Sequence, residues 1–168
     1  VVARDMKKEH FEAFMSKNEN RIYRYLLGLC SNEQDAQDVL QNVFIAVYQN
    51  LDKIEDATAL AYTYKIAHNK CMNFLKTKSR YIPVDPIAFS HIPDTAVNTN
   101  DPDYSELMSA VSALPPKLAA VIQLQYYEKL SYKDISSQLG ISVKAVESLL
   151  VRAKRILRKK MMQEKKYK

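Results

Sequence analysis

The chain has 168 residues, 47% of them hydrophobic and 26% charged, with a formal net charge of +6. That length suits one ordinary domain or two small ones with a packed core. No uninterrupted apolar stretch approaches a membrane span and the start lacks a signal-peptide layout, which together predict a cytoplasmic protein without a span of its own.

Two glycines and no tryptophan, in a chain rich in Leu, Ala, Lys, Gln and Glu, favour helix over sheet. Cys30 and Cys71 stand alone, without the spacing of a zinc site or a disulfide framework, and are expected to be buried, reduced thiols. Charge is unevenly placed. From Arg152 to the end there are nine Lys/Arg against Glu164, so this segment carries +8 and the rest of the chain −2. Such a concentration points to a polyanionic partner for the C-terminal region.

A first helix is expected over about residues 7–29, with a possible break at "SKNEN" and an end near Gly28. A second runs from about Glu33 to Leu51, because Ala36, Val39, Leu40, Val43, Phe44, Val47 and Leu51 recur every three or four residues and form one buried stripe. Its other side carries Gln34, Asp38, Gln41, Ile45 and Tyr48, where exposed apolar groups among amides and an acid suit a protein contact. The third, about Leu60 to Lys78, turns Ile66, Ala67, Cys71, Phe74 and Leu75 inward and a polar stripe of Lys65, Asn69, Asn73, Lys76 and Arg80 outward. Tyr62 and Tyr64 at its start are candidate stacking platforms for unpaired bases.

Four of the six prolines (Pro83, Pro86, Pro93 and Pro102) then fall among Asp, Asn, Ser and Thr. This stretch, residues 80–103, reads as an acidic, flexible linker between a domain at 1–79 and another at 104–168. Beyond it come a helix over about Asp103–Ala113 and another opened by Pro115 and Pro116, whose missing N–H groups cost nothing in a first turn. Ser131, with Asp134 three residues on, marks the N-cap of a short helix to Leu139. Gly140 turns the chain, and Ser142 caps a last helix to about Met161. The fold is therefore all-α, two small helical domains joined by a linker.

"QLGISVKAVES" (138–148) has the parts of a helix-turn-helix. Ser136 is small where two backbones approach, Gly140 turns, and Ile135, Leu139, Ile141, Val146 and Leu149 supply a shared core. Lys144, Ser148, Arg152, Arg155 and Lys159 line one outward stripe, the polar edge and cationic flank that a major-groove helix requires. His10, His68 and His91 are scattered, and no nucleophile, metal-ligand set or glycine-rich loop is visible, so neither an enzyme nor a cofactor or metal is expected.

"DAQDVLQNVF" (35–44), "YTYKIAHNK" (62–70) and "LSYKDISSQLGISVKAVESLLVRAKRILRK" (130–159), preceded by "LPPK" (114–117), resemble bacterial RNA polymerase sigma factors of the extracytoplasmic-function (ECF) group. The resemblance spans about residues 10–160 and implies a promoter-melting helical bundle followed by a helix-turn-helix domain. It implies that core RNA polymerase is met by Asp35, Asp38, Gln41 and Tyr48, with Phe44 packing the bundle. Minus-ten DNA, melted to single strands, would be met by Tyr62, Lys65, His68, Asn69, Asn73 and Lys76, with a flipped base held by the loop at about 51–60. Double-stranded minus-thirty-five DNA would be met by Ser142, Lys144, Glu147, Ser148, Arg152 and Arg155. The acidic linker would thread the RNA path of the polymerase, an anti-sigma factor would hold the chain inactive, and the active form would join the nucleoid. Members usually carry Trp-Leu at Tyr62-Thr63, Arg at His68 and a basic residue at Leu149. The alternative is a stand-alone helix-turn-helix regulator in which residues 1–80 form a sensing or dimerising bundle.

Overall fold

A computed structural model describes residues 2–81 and 102–167, so most of the acidic linker lies outside the described residues. The described residues form seven helices and two single 3-10 turns, Leu51–Lys53 and Asp56–Thr58, with no strand among them. The helices are α1 (Val2–Cys30), α2 (Glu33–Gln49), α3 (Ala59–Tyr81), α4 (Pro102–Ser112), α5 (Pro116–Tyr126), α6 (Tyr132–Leu139) and α7 (Val143–Lys166).

α1 runs without a break through "SKNEN". Asn18 is buried and its Nδ2 donates to the Phe14 carbonyl at 2.9 Å, so the amide satisfies itself inside the helix instead of ending it. The helix stops at Cys30, just past Gly28, and Ser31 (φ 55) makes the turn. α2 starts at the Asn32 cap, whose Oδ1 accepts from the Asp35 N–H at 3.0 Å, with Glu33 and Asp35 at the positive end of the helix dipole. The predicted stripe Ala36, Val39, Leu40, Val43, Phe44 and Val47 is buried. Leu51 falls just outside the helix, in the first 3-10 turn. α3 and α4 both reach into the segment expected to be linker, to Tyr81 and from Pro102.

The two halves are packed against each other. α5 lies between α1 and α7, and α3 touches α6. Seven consecutive residues of α5, Leu118 to Leu124, are buried, as a helix covered on several sides must be. Buried residues from Ile22 on α1 to Ala153 on α7 make one continuous apolar cluster. Gly28 explains how the approach is so close. A Cβ there would sit 2.2 Å from Gln123 Nε2, and the same amide donates to the Tyr25 carbonyl at 3.3 Å. The glycine is a contact point between the halves, which is why it is found inside a helix.

Candidate polymerase and nucleic-acid interfaces

Gly140 has φ 68 and ψ 34, the left-handed conformation that glycine adopts without penalty. Its N–H and that of Ile141 both donate to the Ser136 carbonyl, at 3.0 and 3.2 Å, closing α6. Ser136 Oγ donates back to the Ile141 carbonyl at 2.5 Å, so the small residue expected at this crossing also fixes the turn. Ser131 Oγ accepts from the Asp134 N–H at 3.1 Å and Ser142 Oγ from the Ala145 N–H at 3.0 Å, as the two predicted caps require. Ile135, Val146 and Leu150 are buried beneath, with Leu139, Ile141 and Leu149 half-buried at the edges. Above this underside, Ser142, Lys144, Glu147, Ser148, Arg152 and Arg155 are all exposed. One polar and cationic face thus stands on a rigid apolar base, suited to a groove of duplex DNA.

On α2, Asp38 and Gln41 are exposed, as are Ile45 (55%) and Tyr48 (50%). The Tyr48 ring leans on Phe11 at 5.1 Å between centroids, which holds it in place while leaving half its surface to a partner. Asp35 is different: it is half-buried and ion-paired with Lys78 of α3. That pair ties α2 to the end of α3, so a partner reaching Asp35 meets an already neutralised carboxylate.

α3 divides its polar residues between two sides. Lys65, Asn69, Asn73 and Lys76 are exposed in a stripe, while Tyr62 and His68 are half-buried. Tyr64 is not a free stacking platform. It is 2% exposed, its ring meets Tyr25 edge-on at 5.2 Å, and its hydroxyl donates to Glu128, between α5 and α6. Thr63 is sealed as well, its hydroxyl bonded to the Ala59 carbonyl at 2.7 Å. His68 Nδ1 lies 3.1 Å from the Tyr25 hydroxyl, and burial, with Lys117 nearby, lowers its pKa to about 4. The ring is therefore neutral at pH 7 and is a hydrogen-bonding group here, not a cation.

Arg21, Tyr64 and Glu128 form a cluster that sequence reasoning missed. Arg21 donates through Nε at 3.2 Å and through a terminal nitrogen at 2.6 Å to the two oxygens of Glu128, and Tyr64 adds its hydroxyl. The hydrogen bonds to Glu128 raise the guanidinium's pKa, and burial followed by the same carboxylate raises that of the Tyr64 phenol. No local signal marks these residues: Arg21 and Glu128 are 107 positions apart. Cys30 and Cys71 are both buried, as expected, with sulfurs 3.2 Å apart; their mutual hydrogen bond and burial push the Cys71 thiol upward, away from thiolate chemistry. Among the described residues no His/Cys/Asp/Glu group could hold a metal, and no helix is long and apolar enough to cross a membrane.

Residues 14–81 match the sigma-70 region 2 family and residues 104–157 the sigma-70 region 4 family. The chain is 25% identical over 154 residues to the ECF RNA polymerase sigma factor SigE of Mycolicibacterium smegmatis, covering 88% of this chain and 60% of that one. To the ECF RNA polymerase sigma-E factor of Haemophilus influenzae it is 27% identical over 168 residues, covering 92% of this chain and 88% of the other. Two solved structures share the fold. The sigma factor RpoE from Bartonella quintana, in complex with the anti-sigma factor NepR, aligns with TM-score 0.73 at 18% identity over 90% of this chain and 96% of that one. CnrH, in complex with the cytosolic domain of CnrY, aligns with TM-score 0.65 at 21% identity over 93% and 90%. Both halves are accounted for in the right order, each with its own exposed face: the chain belongs to the ECF group of RNA polymerase sigma factors, the non-catalytic factors that direct polymerase to promoters.

Proposed function

We propose that this chain docks on core polymerase through α2, opens the minus-ten element along α3 and reads the minus-thirty-five element with α7. The observation that carries this reading is the α7 face, six polar residues exposed together over a buried underside. Lys144, Glu147 and Ser148 stand near the helix start and address base edges, while Arg152 and Arg155 lie farther along and address phosphates. Asp38, Gln41, Ile45 and Tyr48 offer polymerase a half-apolar patch, with Asp35 contributing through its pairing to Lys78. Lys65, Asn69, Asn73 and Lys76 follow the melted strand. Tyr62 and His68 support that stripe from its edge.

The chain acts in the cytoplasm and joins the nucleoid when engaged with polymerase. Its inhibitor is a protein, in keeping with the anti-sigma factor and cytosolic domain bound by the two structural relatives. A stand-alone regulator is disfavoured, because the bundle as well as the helix-turn-helix matches a sigma-factor region. Run-off transcription with core enzyme tests the reading. The chain should co-elute with core polymerase and start transcripts at defined positions on genomic fragments. DNA binding without either would leave the regulator.

A further inference from the structure

Cys30 and Cys71 have no part in the polymerase or promoter assignments, and they are the chain's two cysteines. They stand 41 positions apart, yet the fold brings them together inside the N-terminal bundle as free thiols, with sulfurs 3.2 Å apart. Cys71 lies in the middle of α3 and is fully enclosed, one turn beyond Ala67, which is 0% exposed as well. Small residues at i and i+4 give α1 a close approach to this side of α3. Two turns farther along the same side, Lys78 pairs with Asp35 of α2. α3 is thus held at two points along one line, and the bundle sets the position of the Cys71 sulfur.

Cys30 is placed differently, as the last residue of α1. The Ser31 N–H donates to the Leu27 carbonyl at 2.9 Å, Ser31 turns at φ 55, and the Asn32 cap of α2 follows. Helix ends open locally far more often than the middle of a packed helix. Cys30 is also 8% exposed where Cys71 is sealed, so an oxidant enters at Cys30. A disulfide bond measures about 2.05 Å, so the two sulfurs need to close by only about 1.2 Å. Side-chain rotation and the turn after Cys30 absorb that movement, while α3 stays anchored.

We infer that Cys30 and Cys71 form a modification site, a thiol pair that a hydroperoxide converts into an intramolecular disulfide stapling α1 to α3. The inference goes beyond the functional reading and does not depend on it. With hydrogen peroxide, the Cys30 sulfur attacks one oxygen and the O–O bond breaks. Cys30 becomes a sulfenic acid, and the thiol proton leaves with the second oxygen as water. The Cys71 sulfur then attacks the Cys30 sulfur, the S–O bond breaks, and the departing hydroxide takes the Cys71 proton as a second water. Two thiols are oxidised to one disulfide and the peroxide is reduced to two waters. Burial keeps Cys71 away from the oxidant itself, and its position against Cys30 drives the second step by proximity. Thiol–disulfide exchange reverses the bond. Because the staple ties residues 41 positions apart, it restrains the unfolded chain and stabilises the bundle.

The full chain, reduced and then freed of reductant, tests this. It is exposed to hydrogen peroxide without denaturant, alkylated with N-ethylmaleimide in denaturant and mapped by mass spectrometry. The expected product is a monomer that has lost both thiols, with the peptides of Cys30 and Cys71 linked. Its melting temperature should rise by about 8 °C and return to the starting value in dithiothreitol. Cys30→Ser, treated in the same way, should show no rise. Thiols that stay open to alkylation, cross-links between chains, or a sulfinic acid at Cys30 in place of the linkage would each overturn the site. So would a linkage that forms only in denaturant. A linkage with an unchanged or lower melting temperature, or an equal rise in Cys30→Ser, would overturn the staple.

Discussion

The two helices assigned to DNA are built on different plans. α7 rests on its own neighbours, with every predicted contact residue in water and the apolar side against α5 and α6. α3 is shared: one stripe faces solvent while Tyr64 and His68 engage groups on α1 and the second half of the chain. Polar side chains on an isolated reader can all be assigned to nucleic acid. On a shared helix the same residue types are divided between solvent and protein, and only the tertiary structure makes the division.

The largest expected effect breaks that sharing at its closest point. Valine at Gly28 would put a branched side chain where a Cβ alone lies 2.2 Å from Gln123, costing about 3 kcal/mol of packing between the halves. The expected outcome is a lower melting temperature and an expanded chain, with α7 binding to a short minus-thirty-five duplex unchanged. A loss of duplex affinity equal to the loss of stability would show that α7 is not independent. Gly140→Val is the reciprocal experiment. Nothing lies within 4 Å of a Cβ there, so the cost of about 2 kcal/mol is one of backbone conformation, and asparagine should recover much of it. Duplex binding should fall while the α1–α3 bundle keeps its hydrogen-exchange protection.

Within α7, Lys144→Ala and Arg152→Ala separate reading from holding. Each is expected to weaken minus-thirty-five binding by about 1–2 kcal/mol. Lys144→Ala should relax sequence preference, and Arg152→Ala should lower affinity for all sequences alike, with a shallower salt dependence. Binding assays across single-base variants and salt concentrations check both. Equal losses on every sequence for both variants would mean that Lys144 too only touches phosphate.

How far the sequence carried these assignments follows the same division. The α2 stripe, the Ser131 and Ser142 caps and the Gly140 turn were legible because each is a pattern within about fifteen residues, settled by helical period or by a cap bonding three positions on. The end of α1 near Gly28 was legible, but the part that Gly28 plays at the contact with Gln123 was not, since a glycine needed for close approach looks the same as one needed for a turn. Tyr64 looked like a stacking platform, and Arg21 and Glu128 looked like nothing in particular. Their roles arise from contacts across 64 and 107 positions, for which periodicity has no signal. His68 was read by position on a helix, and its burial depends on α1 and α5.

That histidine gives the smallest effect and the finest test of sharing. Its pKa falls from an ordinary 6.5 to about 4 in the packed chain, mainly through burial and secondarily through Lys117, with the Tyr25 hydroxyl as its hydrogen-bonding partner. The unfolded chain therefore binds the proton first. Above pH 6.5 both states are neutral and the histidine adds no pH dependence. As pH falls from 6.5 towards 4 the unfolded state gains protons that the packed state refuses, and stability is lost across that window and no further below it. With the ring only partly buried, the loss amounts to about 1–2 kcal/mol. His68→Gln removes the titration while keeping a group able to bond Tyr25. The difference in melting temperature between wild type and variant should thus change between pH 7 and pH 4, while carboxylates titrating in the same range cancel from the comparison. A difference that stays constant over that range would put His68 in water, on the same open footing as Lys144, and would leave Tyr64 as the residue through which α3 is shared.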